Sequence, residues 1–329
     1  MATGRTDELA QALWYIEPGR AEIREEKAVP PGPDAVRVRT LFSAVSRGTE
    51  ALVFGGRVPK SEFERMRSPF MAGRFPFPVK YGYATVGMVE AGPPNLLGRS
   101  VFALHPHQSI FNVPSKAVVG LPEGVPPERA VLAANMETAL NAVWDAAPGP
   151  AGRIAIVGAG VVGALVAYLC GQAPGAQVTL VDISPARAEL AYCLGVKFAA
   201  PEAAPAECDL VIHASGTAEG LATALGLAAF EATVLEMSWY GDALVPVPLG
   251  GAFHSRRLKL VSSQVGHVAP SHRAEWTHAR RLTAAVQMLT DARLDALLAP
   301  AIAFSELPAR LPDILSPKSG ILCQLVAYS

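Results

Sequence analysis

The first third of the chain contains short apolar runs, separated by proline and glycine, that are typical of β-strands. These runs lie at 35–45, 84–92 and 100–104. The pattern predicts a β-rich domain, a small distorted barrel, from Gln11 to about Gly120. A helical spacing of apolar residues follows at 128–146, which places a domain boundary near residue 130.

Beyond this boundary, apolar runs alternate with segments of helical spacing. The predicted strands lie at 153–157, 177–181, 209–213, 232–237 and 258–263. The predicted helices lie at 161–171, 185–194 and 218–229. Alternating helices and apolar strands are the pattern of a doubly wound parallel sheet that is buried on both faces. The predicted fold class is therefore α/β, with a β-rich domain and a doubly wound domain.

The carboxyl-terminal segment is expected to return to the first domain. It contains a charged amphipathic helix at 271–290, a short helix after Glu306 and a terminal apolar strand at 321–329. The two predicted domains are 1–130 with 269–329, and 131–268.

Composition and charge exclude several classes of protein. The chain has 329 residues, with 28 Lys and Arg against 29 Asp and Glu; 50% of its residues are hydrophobic and 17% are charged. This composition supplies apolar side chains for two buried cores and too few charges for a disordered chain. A formal charge of -1 gives no basis for binding nucleic acid.

Cysteine usage and the N-terminus favour a cytoplasmic protein. The four cysteines are far apart and form no CxxC pair, so neither a disulfide framework nor a zinc ribbon is predicted. Arg5, Asp7 and Glu8 interrupt the apolar stretch that an export signal requires. Glycines and a turn divide the uncharged stretch between Arg153 and Asp182, so no membrane span is expected.

The strongest motif follows the first strand of the doubly wound domain. Gly158, Gly160 and Gly163 form a G-x-G-x-x-G sequence that opens a predicted helix. In this context the first glycine permits a tight turn, the second lets the backbone approach a pyrophosphate, and the third lets helix and strand pack closely. The amides that begin the helix, at Val161 and Val162, are placed to bind phosphate. The motif predicts a dinucleotide site.

An acidic residue indicates which dinucleotide is bound. Asp182 ends the next strand, nineteen residues beyond Gly163, where a carboxylate binds the ribose hydroxyls. Because a carboxylate repels a 2′-phosphate, NAD(H) is favoured over NADP(H). Arg187 and Ser184 lie close enough in the sequence to keep NADP(H) as an alternative. A glycine-rich turn in an ordinary α/β domain is the alternative without a cofactor.

Four segments resemble the medium-chain dehydrogenase/reductase superfamily, which contains the zinc alcohol and polyol dehydrogenases. They are SAVSRGTE at 43–50, KYGYATVGMVEAG at 80–92, NMETALNAV at 135–143 and IAIVGAGVVG at 154–163. The first is most similar to the branch that includes bacteriochlorophyllide dehydrogenase and the threonine-dehydrogenase-related proteins. The resemblance covers nearly the whole chain. It implies a GroES-like barrel domain, a Rossmann domain and hydride transfer with a nicotinamide cofactor.

The chain departs from this superfamily at the positions of the zinc ligands. Zinc members carry a cysteine, a Gly-His-Glu and a cysteine or glutamate, where this chain has Ser46, Gly82-Tyr83-Ala84, and Ala134 with Glu137 nearby. A hydroxyl, a phenol and a methyl group do not form a tetrahedral zinc site. No metal is therefore predicted.

A rebuilt metal site is the alternative to this prediction. His105, His107, Glu50 and Glu137 supply ligand atoms that zinc accepts. The two histidines belong to a His-Pro-His turn, for which a hydrogen-bonded loop is the other explanation.

The resemblance implies which side chains face the reacting groups. Tyr83 stands in place of a histidine ligand and Ser46 in place of a cysteine, so their hydroxyls can donate to a substrate oxygen or pass a proton. Glu137 is a candidate base. The alternatives are that Tyr83 is a packed aromatic with its hydroxyl in water and that Glu137 is a helix residue that caps or pairs at the domain joint. Further cofactor contacts are expected from Arg47, Thr138, Arg187, Ser215 and Ser238.

These observations predict a zinc-independent NAD(H)-dependent oxidoreductase that interconverts a secondary alcohol and its ketone. A quinone or enoyl reductase of the same fold is one alternative. A dinucleotide-binding protein that lacks catalysis is the other.

Two further patterns concern partners. Segment 51–80 carries six basic residues, two acidic residues and five phenylalanines, which favours a small-molecule substrate with an anionic group. A solvated basic loop with its phenylalanines in the barrel is the alternative. The apolar run at 232–239 favours a homodimer, because an open apolar edge strand would associate.

Overall fold

The computed structural model describes residues 9–329, and the chain divides into two compact units. The first runs to Ala134 and includes Val286–Thr290 and Leu298–Ser329, and the second contains Asn135–Ala285 and Asp291–Leu297. The N-terminal residues on which the exclusion of an export signal rests lie outside the described residues.

The secondary structure elements follow in chain order. The strands are β1 (Leu9–Glu17), β2 (Arg20–Lys27), β3 (Ala35–Val45), β4 (Ala72–Gly73), β5 (Val79–Lys80), β6 (Thr85–Ala91), β7 (Ser100–Ala103), β8 (Ile110–Pro114), β9 (Val118–Gly120), β10 (Arg153–Val157), β11 (Gln177–Val181), β12 (Lys197–Ala199), β13 (Cys208–His213), β14 (Ala228–Glu236), β15 (Lys259–Ser262), β16 (Leu298–Ala303) and β17 (Cys323–Ala327). The helices are α1 (Arg47–Phe54), α2 (Pro127–Ala130), α3 (Ala133–Ala146), α4 (Val161–Cys170), α5 (Arg187–Cys193), α6 (Ala218–Leu227), α7 (His278–Gln287) and α8 (Leu307–Leu315). Short 3-10 turns occupy Lys60–Glu62, Ser115–Ala117, Pro201–Ala203, Met288–Thr290, Ala292–Leu297 and Phe304–Glu306, and a π turn occupies Leu249–Phe253.

The first unit is β-rich, as predicted, and is built around β3. This strand lies in a sheet of order β16-β17-β3-β6-β7-β9, with β8 also paired to β3, while β1, β2, β4 and β5 form a second sheet. Val36 and Val38 alternate with outward residues along β3 and pack against Val89, Val101 and Phe111. This period of two residues is the reason that the sequence pattern located the strand correctly.

The second unit contains the predicted doubly wound parallel sheet. Its strand order is β12-β11-β10-β13-β14-β15, and every pair is parallel. Counted within the unit, this is the 3-2-1-4-5-6 order of a Rossmann fold. The central strands are buried on both faces, and Ile154, Ile156, Leu180, Val211 and Val234 are fully inaccessible or nearly so. The carboxyl ends of β10, β11, β13 and β14 therefore meet at one edge of the sheet, where such folds bind ligands.

The structure corrects the strand on which the dimer expectation rested. The apolar run at 232–239 lies mostly within β14, which pairs with β13 on one side and β15 on the other. It is not an open edge. The open edge on that side is β15, where Leu260 and Val261 are exposed. Dimerisation itself stays a prediction.

The second unit extends further along the chain than the predicted bounds of 131–268. Helix α7 begins at His278 rather than at 271, and its Arg281 is buried in this unit. The guanidinium pairs with Glu137 at 3.0 Å and also donates to Asn141 and to the Val265 and His267 carbonyls. The return to the first unit comes later, where buried Arg129 donates to the Leu289 and Thr290 carbonyls.

Within residues 9–329, every helix is too short or too polar to cross a membrane.

Replacing Arg281 by Met should lower the free energy of unfolding by about 3 kcal/mol, because it leaves the buried Glu137 carboxylate without its cation. Arg280→Met is the matched control: that side chain is exposed and lies over the Trp276 ring, so its loss should cost below about 1 kcal/mol. Urea unfolding followed by circular dichroism measures both. Equal effects of the two substitutions would contradict the anchoring role of Arg281.

Candidate functional site

The turn between β10 and α4 is tightly packed. Gly158 has φ +109°, a conformation that L side chains rarely adopt, and a Cβ there would lie 2.6 Å from the backbone nitrogen of Ser215. A Cβ on Gly163 would overlap the Gly158 carbonyl oxygen. These two glycines therefore let α4 pack directly on the turn and hold its N-terminus at the carboxyl edge of the sheet.

Gly160 has the opposite environment. A Cβ on this residue would meet no atom within 4 Å, so the space beside its backbone is open. Val161 and Val162 begin α4, and the first amides of a helix have no partner within it. An open backbone surface beside a helix N-terminus fits a pyrophosphate group.

Asp182 follows β11 at the same edge and holds the glycine turn. Its Oδ2 accepts from the Ala159 amide at 2.7 Å and its Oδ1 from the Ser184 amide at 2.8 Å. Each carboxylate oxygen can accept a further bond, so the residue remains suited to ribose hydroxyls. Arg187 is half-buried at the start of α5.

The ends of β13 and β14 carry a chain of polar groups that includes Ser215 and Ser238. The Ser215 hydroxyl lies 2.6 Å from Nε2 of His213, whose Nδ1 lies 2.7 Å from Oε2 of Glu236. The Ser238 hydroxyl accepts from the Gly216 amide at 3.1 Å. The structure thus brings together the two serines named from sequence and adds His213 and Glu236.

His213 and Glu236 are the site residues that sequence reasoning missed. Each is the last residue of a strand in the parallel sheet, so a comparison of strand ends could have placed them side by side. Burial raises the pKa of Glu236, but its bonds to His213 and to Ser238 outweigh burial and lower it below the usual value. The carboxylate is therefore ionised at neutral pH.

Helix α3 carries Glu137 and Thr138, and the structure corrects the role of the first. The Glu137 carboxylate is bound by Arg281. Burial raises its pKa and Arg281 lowers it, with a net rise. Its bond to a buried guanidinium makes it part of a helix-joint ion pair rather than a base presented to substrate. Thr138 is half-buried on the same helix.

In the first unit, Tyr83 and Ser46 form a hydroxyl pair. The Tyr83 hydroxyl donates to Ser46 Oγ at 2.7 Å. Burial raises the pKa of Tyr83 to about 12, although hydrogen bonds with Ser46 and Thr49 partly oppose the rise. The phenol therefore stays protonated and can donate at any physiological pH. Tyr81 packs edge-on against its ring.

A buried carboxylate fixes the backbone of this pair. Glu50 accepts from the Ser46 amide at 2.7 Å and from the Tyr15 hydroxyl at 2.6 Å, and His107 Nε2 lies 3.1 Å away. His107 Nδ1 in turn lies 2.7 Å from the Ser43 hydroxyl. The network orients the turn that starts α1 and carries Ser46.

The chemistry of these groups does not fit zinc. His107 and Glu50 bind each other, and His105 is stacked between Phe70 and Phe111. Burial lowers the pKa of His105 to about 3, and its Nδ1 contacts the Pro106 carbonyl. Across residues 9–329, no group of three or more His, Cys, Asp or Glu side chains could hold a metal ion.

Arg47, expected to contact the cofactor, is engaged within its own unit, and the cofactor role stays a prediction. Its guanidinium donates to the carbonyls of Ile314, Ser316 and Ile321. Each of its three nitrogens thus donates to a carbonyl in or after α8. The residue joins α1 to the carboxyl-terminal segment of the same unit.

Three of the six basic residues of segment 51–80 have partners within the segment or its own unit. Lys80 is buried against Glu26 at 2.7 Å, Arg65 pairs with Glu62, and Arg67 donates to two backbone carbonyls. Among the phenylalanines, Phe54 and Phe75 are buried and Phe70 is exposed. The segment therefore offers less free positive charge than its composition indicates.

Comparison with known proteins gives matches to solved structures alone. No protein-family model matches the sequence, and no curated protein does so. A protein from Sinorhizobium meliloti described as a zinc-binding dehydrogenase, bound to NADP, has a TM-score of 0.77 at 19% identity, over 97% of this chain and 99% of that one. An Escherichia coli alcohol dehydrogenase in complex with NADH has a TM-score of 0.76 at 16% identity, over 97% and 99%.

L-idonate 5-dehydrogenase from Escherichia coli has a TM-score of 0.78 at 14% identity, over 97% of this chain and 98% of that one. These TM-scores show the fold, and the matches cover both units. The chain therefore shares the fold of these dehydrogenases.

Proposed function

We propose that the protein is an NAD(H)-dependent oxidoreductase that interconverts a secondary alcohol and its ketone without zinc. The observation that carries this proposal is the glycine turn, where Gly160 leaves open space beside the N-terminus of α4 and Asp182 stands at the end of β11. These groups match the pyrophosphate and ribose of a dinucleotide.

The second unit would hold the cofactor. The amides that begin α4 would bind the pyrophosphate, and the Asp182 carboxylate would accept hydrogen bonds from the hydroxyls of the adenosine ribose. When bound, the nicotinamide supplies or takes up the hydride. Asp182 would also disfavour a 2′-phosphate, because two negative charges would meet at short range. This supports NAD(H) over NADP(H).

The hydroxyl pair of the first unit would serve the substrate oxygen. Tyr83 holds a proton at its phenol oxygen, since its pKa is about 12, and Ser46 lies 2.7 Å from it. In ketone reduction the Tyr83 O–H would turn from Ser46 to the substrate oxygen and donate a hydrogen bond as negative charge develops, and the alcohol product would take its proton from solvent. In alcohol oxidation the proton of the alcohol would pass to solvent. Such donors, already oriented by the protein, replace the charge stabilisation that a metal would give.

The substrate would be a small molecule with a carbonyl or secondary hydroxyl group. Lys80 and Arg67 are engaged within the protein, so a negative charge on the substrate is not part of the proposal. A quinone or enone carbonyl could accept from the same hydroxyl pair, and the substrate panel below separates these reactions.

The proposal predicts turnover that depends on Tyr83. NADH oxidation and NAD reduction should be tested against alcohols, ketones, enones and quinones, with chelator present throughout. With a ketone substrate, Tyr83→Phe should lower kcat about a hundredfold, as expected for loss of one donor to the developing oxyanion. Tyr192→Phe is the control, since that ring is 86% exposed. Absence of turnover, its loss in chelator, or reduction of enones and quinones alone would overturn the proposed reaction.

Asp182→Ala should narrow the preference for NADH over NADPH by about tenfold, because it removes a charge and a hydrogen-bond acceptor from the ribose position. The ratio of the two dissociation constants, measured by calorimetry, is the informative quantity, since general loosening of the turn would weaken both ligands alike. Tighter binding of NADPH by the unmodified protein would contradict the assigned cofactor.

Two glycine variants should separate ligand binding from packing. Gly160→Ala should change the free energy of unfolding by less than about 0.5 kcal/mol. It should weaken the binding of NADH at least tenfold, because the added methyl group fills the space proposed for the pyrophosphate. Gly163→Ala should destabilise the protein by about 1–3 kcal/mol through overpacking against the Gly158 carbonyl. Unchanged NADH affinity in Gly160→Ala would show that the dinucleotide does not bind at this turn.

A further inference from the structure

A cavity of about 310 Å³ lies in the first unit, lined by the end of β2, the loop before β4 and the segment that leads into β8. This volume is at the lower end of the range of small-molecule sites. One part of the wall is polar and contains Lys80 and Gln108, and another is aromatic and contains Phe70, His105 and Phe111.

The polar part of the wall has hydrogen-bond donors that the protein does not use. Lys80 and Gln108 are only 8% and 7% exposed. The ammonium group has three N–H bonds, and it donates to Glu26 Oε2 at 2.7 Å and to Gln108 Oε1 at 2.9 Å. The Gln108 amide donates one of its two N–H bonds to the Ile110 carbonyl at 2.8 Å. Among residues 9–329, the third N–H of Lys80 and the second N–H of Gln108 have no acceptor.

His105 adds an acceptor to the same cavity. Its Nδ1 lies 2.9 Å from the Pro106 carbonyl oxygen, which can only accept, so the ring proton sits on Nδ1. Burial lowers the pKa of this ring to about 3, and the ring is therefore neutral. Its Nε2 carries a lone pair for which the described part of the chain supplies no donor.

The aromatic part of the wall has an exposed outer ring. The His105 ring lies 3.8 Å from that of Phe111 and 5.8 Å from that of Phe70, nearly parallel to the first and tilted by 27° to the second. Phe70 is 40% exposed and has φ +57°, which is uncommon for a residue other than glycine. Arg67 holds the loop in this shape by donating to two carbonyls just beyond Phe70. A constrained backbone that presents a ring in this way is a feature of ligand sites.

We infer that this cavity binds an aromatic carboxylate that carries a hydroxyl group on its ring. The two carboxylate oxygens would accept from the unused N–H bonds of Lys80 and Gln108, which lie side by side. Because one donor is an ammonium group, a carboxylate should bind more tightly than a neutral amide of the same shape. The ring hydroxyl would donate to His105 Nε2, and the ring itself would lie against Phe70.

This cavity is separate from the hydroxyl pair of the proposed function. Of the described residues that line it, none is Tyr83 or Ser46. The neighbours His107 and Gln108 illustrate the division, since the first contacts Glu50 and the second contacts Lys80. The inference therefore does not rest on dinucleotide binding or on turnover.

The first experiment varies the ligand and leaves the protein unchanged. The full-length protein is titrated by calorimetry with benzoate, with the three hydroxybenzoate isomers and with the corresponding hydroxybenzamides. One hydroxybenzoate should bind about three- to tenfold more tightly than benzoate, through its hydroxyl group, and about tenfold more tightly than its own amide. The isomer that binds best reports the distance between the donors and His105.

Three results of these titrations would overturn the inference. Absence of binding at millimolar concentration would show that the unused groups serve only water. Equal binding of carboxylates and amides would remove the role of Lys80. Equal binding of benzoate and all three isomers would remove the acceptor at His105.

The second experiment tests the location of the ligand through Phe70→Asn. Asn adopts positive φ more readily than most residues, so the loop should keep its shape while the ring is lost. The preferred hydroxybenzoate should weaken about three- to tenfold, with the affinity for NADH unchanged. Phe230→Asn is the matched control, because that ring is 62% exposed and lies in the second unit. Equal affinities in the two variants would overturn the assignment.

The third experiment removes the polar partners one at a time. His105→Phe keeps an aromatic ring beside Phe111 but lacks Nε2, so benzoate should bind as before and the advantage of the hydroxyl group should vanish. Lys80→Met should abolish the preference for carboxylate over amide. Circular dichroism checks the fold of both variants. If Lys80→Met does not fold because Glu26 loses its cation, His105→Phe and the ligand pairs decide the question.

Tyr83→Phe distinguishes this cavity from the hydroxyl pair. The variant should bind the preferred hydroxybenzoate as tightly as the unmodified protein does. A loss in Tyr83→Phe together with full affinity in His105→Phe would place the ligand at the hydroxyl pair and overturn the inference.

Discussion

The close packing of α4 on the turn after β10 is the constraint on which the second unit depends. Without side chains at Gly158 and Gly163, the helix N-terminus comes directly against the carboxyl edge of the parallel sheet. The same contact places the Ser215 backbone beside the turn. Asp182 then ties the turn to the end of β11 through the Ala159 amide. One steric condition therefore brings three strand ends and a helix N-terminus into a single surface.

This arrangement also explains why polar groups can lie at the end of an apolar sheet. His213 is fully buried, yet its two ring nitrogens have partners at 2.6 and 2.7 Å. A buried polar group that lacked partners would cost free energy on folding, whereas a fully paired chain is rigid and has a defined direction. Ser215 and Glu236 thus contact the two nitrogens of the same buried imidazole.

The first unit also contains a buried polar group that is bound by its neighbours, the Glu50 carboxylate. This carboxylate is fully buried and is satisfied by an amide, a phenol and an imidazole. It fixes Ser46, and Ser46 in turn accepts from Tyr83. The groups that could have been metal ligands, Glu50 and His107, bind each other instead. The chemistry that remains at Ser46 and Tyr83 is that of neutral hydrogen-bond donors.

The sequence by itself determined the two-part α/β architecture, most of the strands of the parallel sheet and the glycine turn, because these depend on local periodicity and on residues close together in the chain. It also placed Ser46 and Tyr83 together by resemblance. Strand order, the internal position of β14 and the engagement of Arg47 and Glu137 required the tertiary structure. Each depends on partners more than a hundred residues away or on a strand pairing that local pattern does not encode. The pairing of His213 with Glu236 belongs to the same class, since only the sheet brings two successive strand ends within hydrogen-bonding distance.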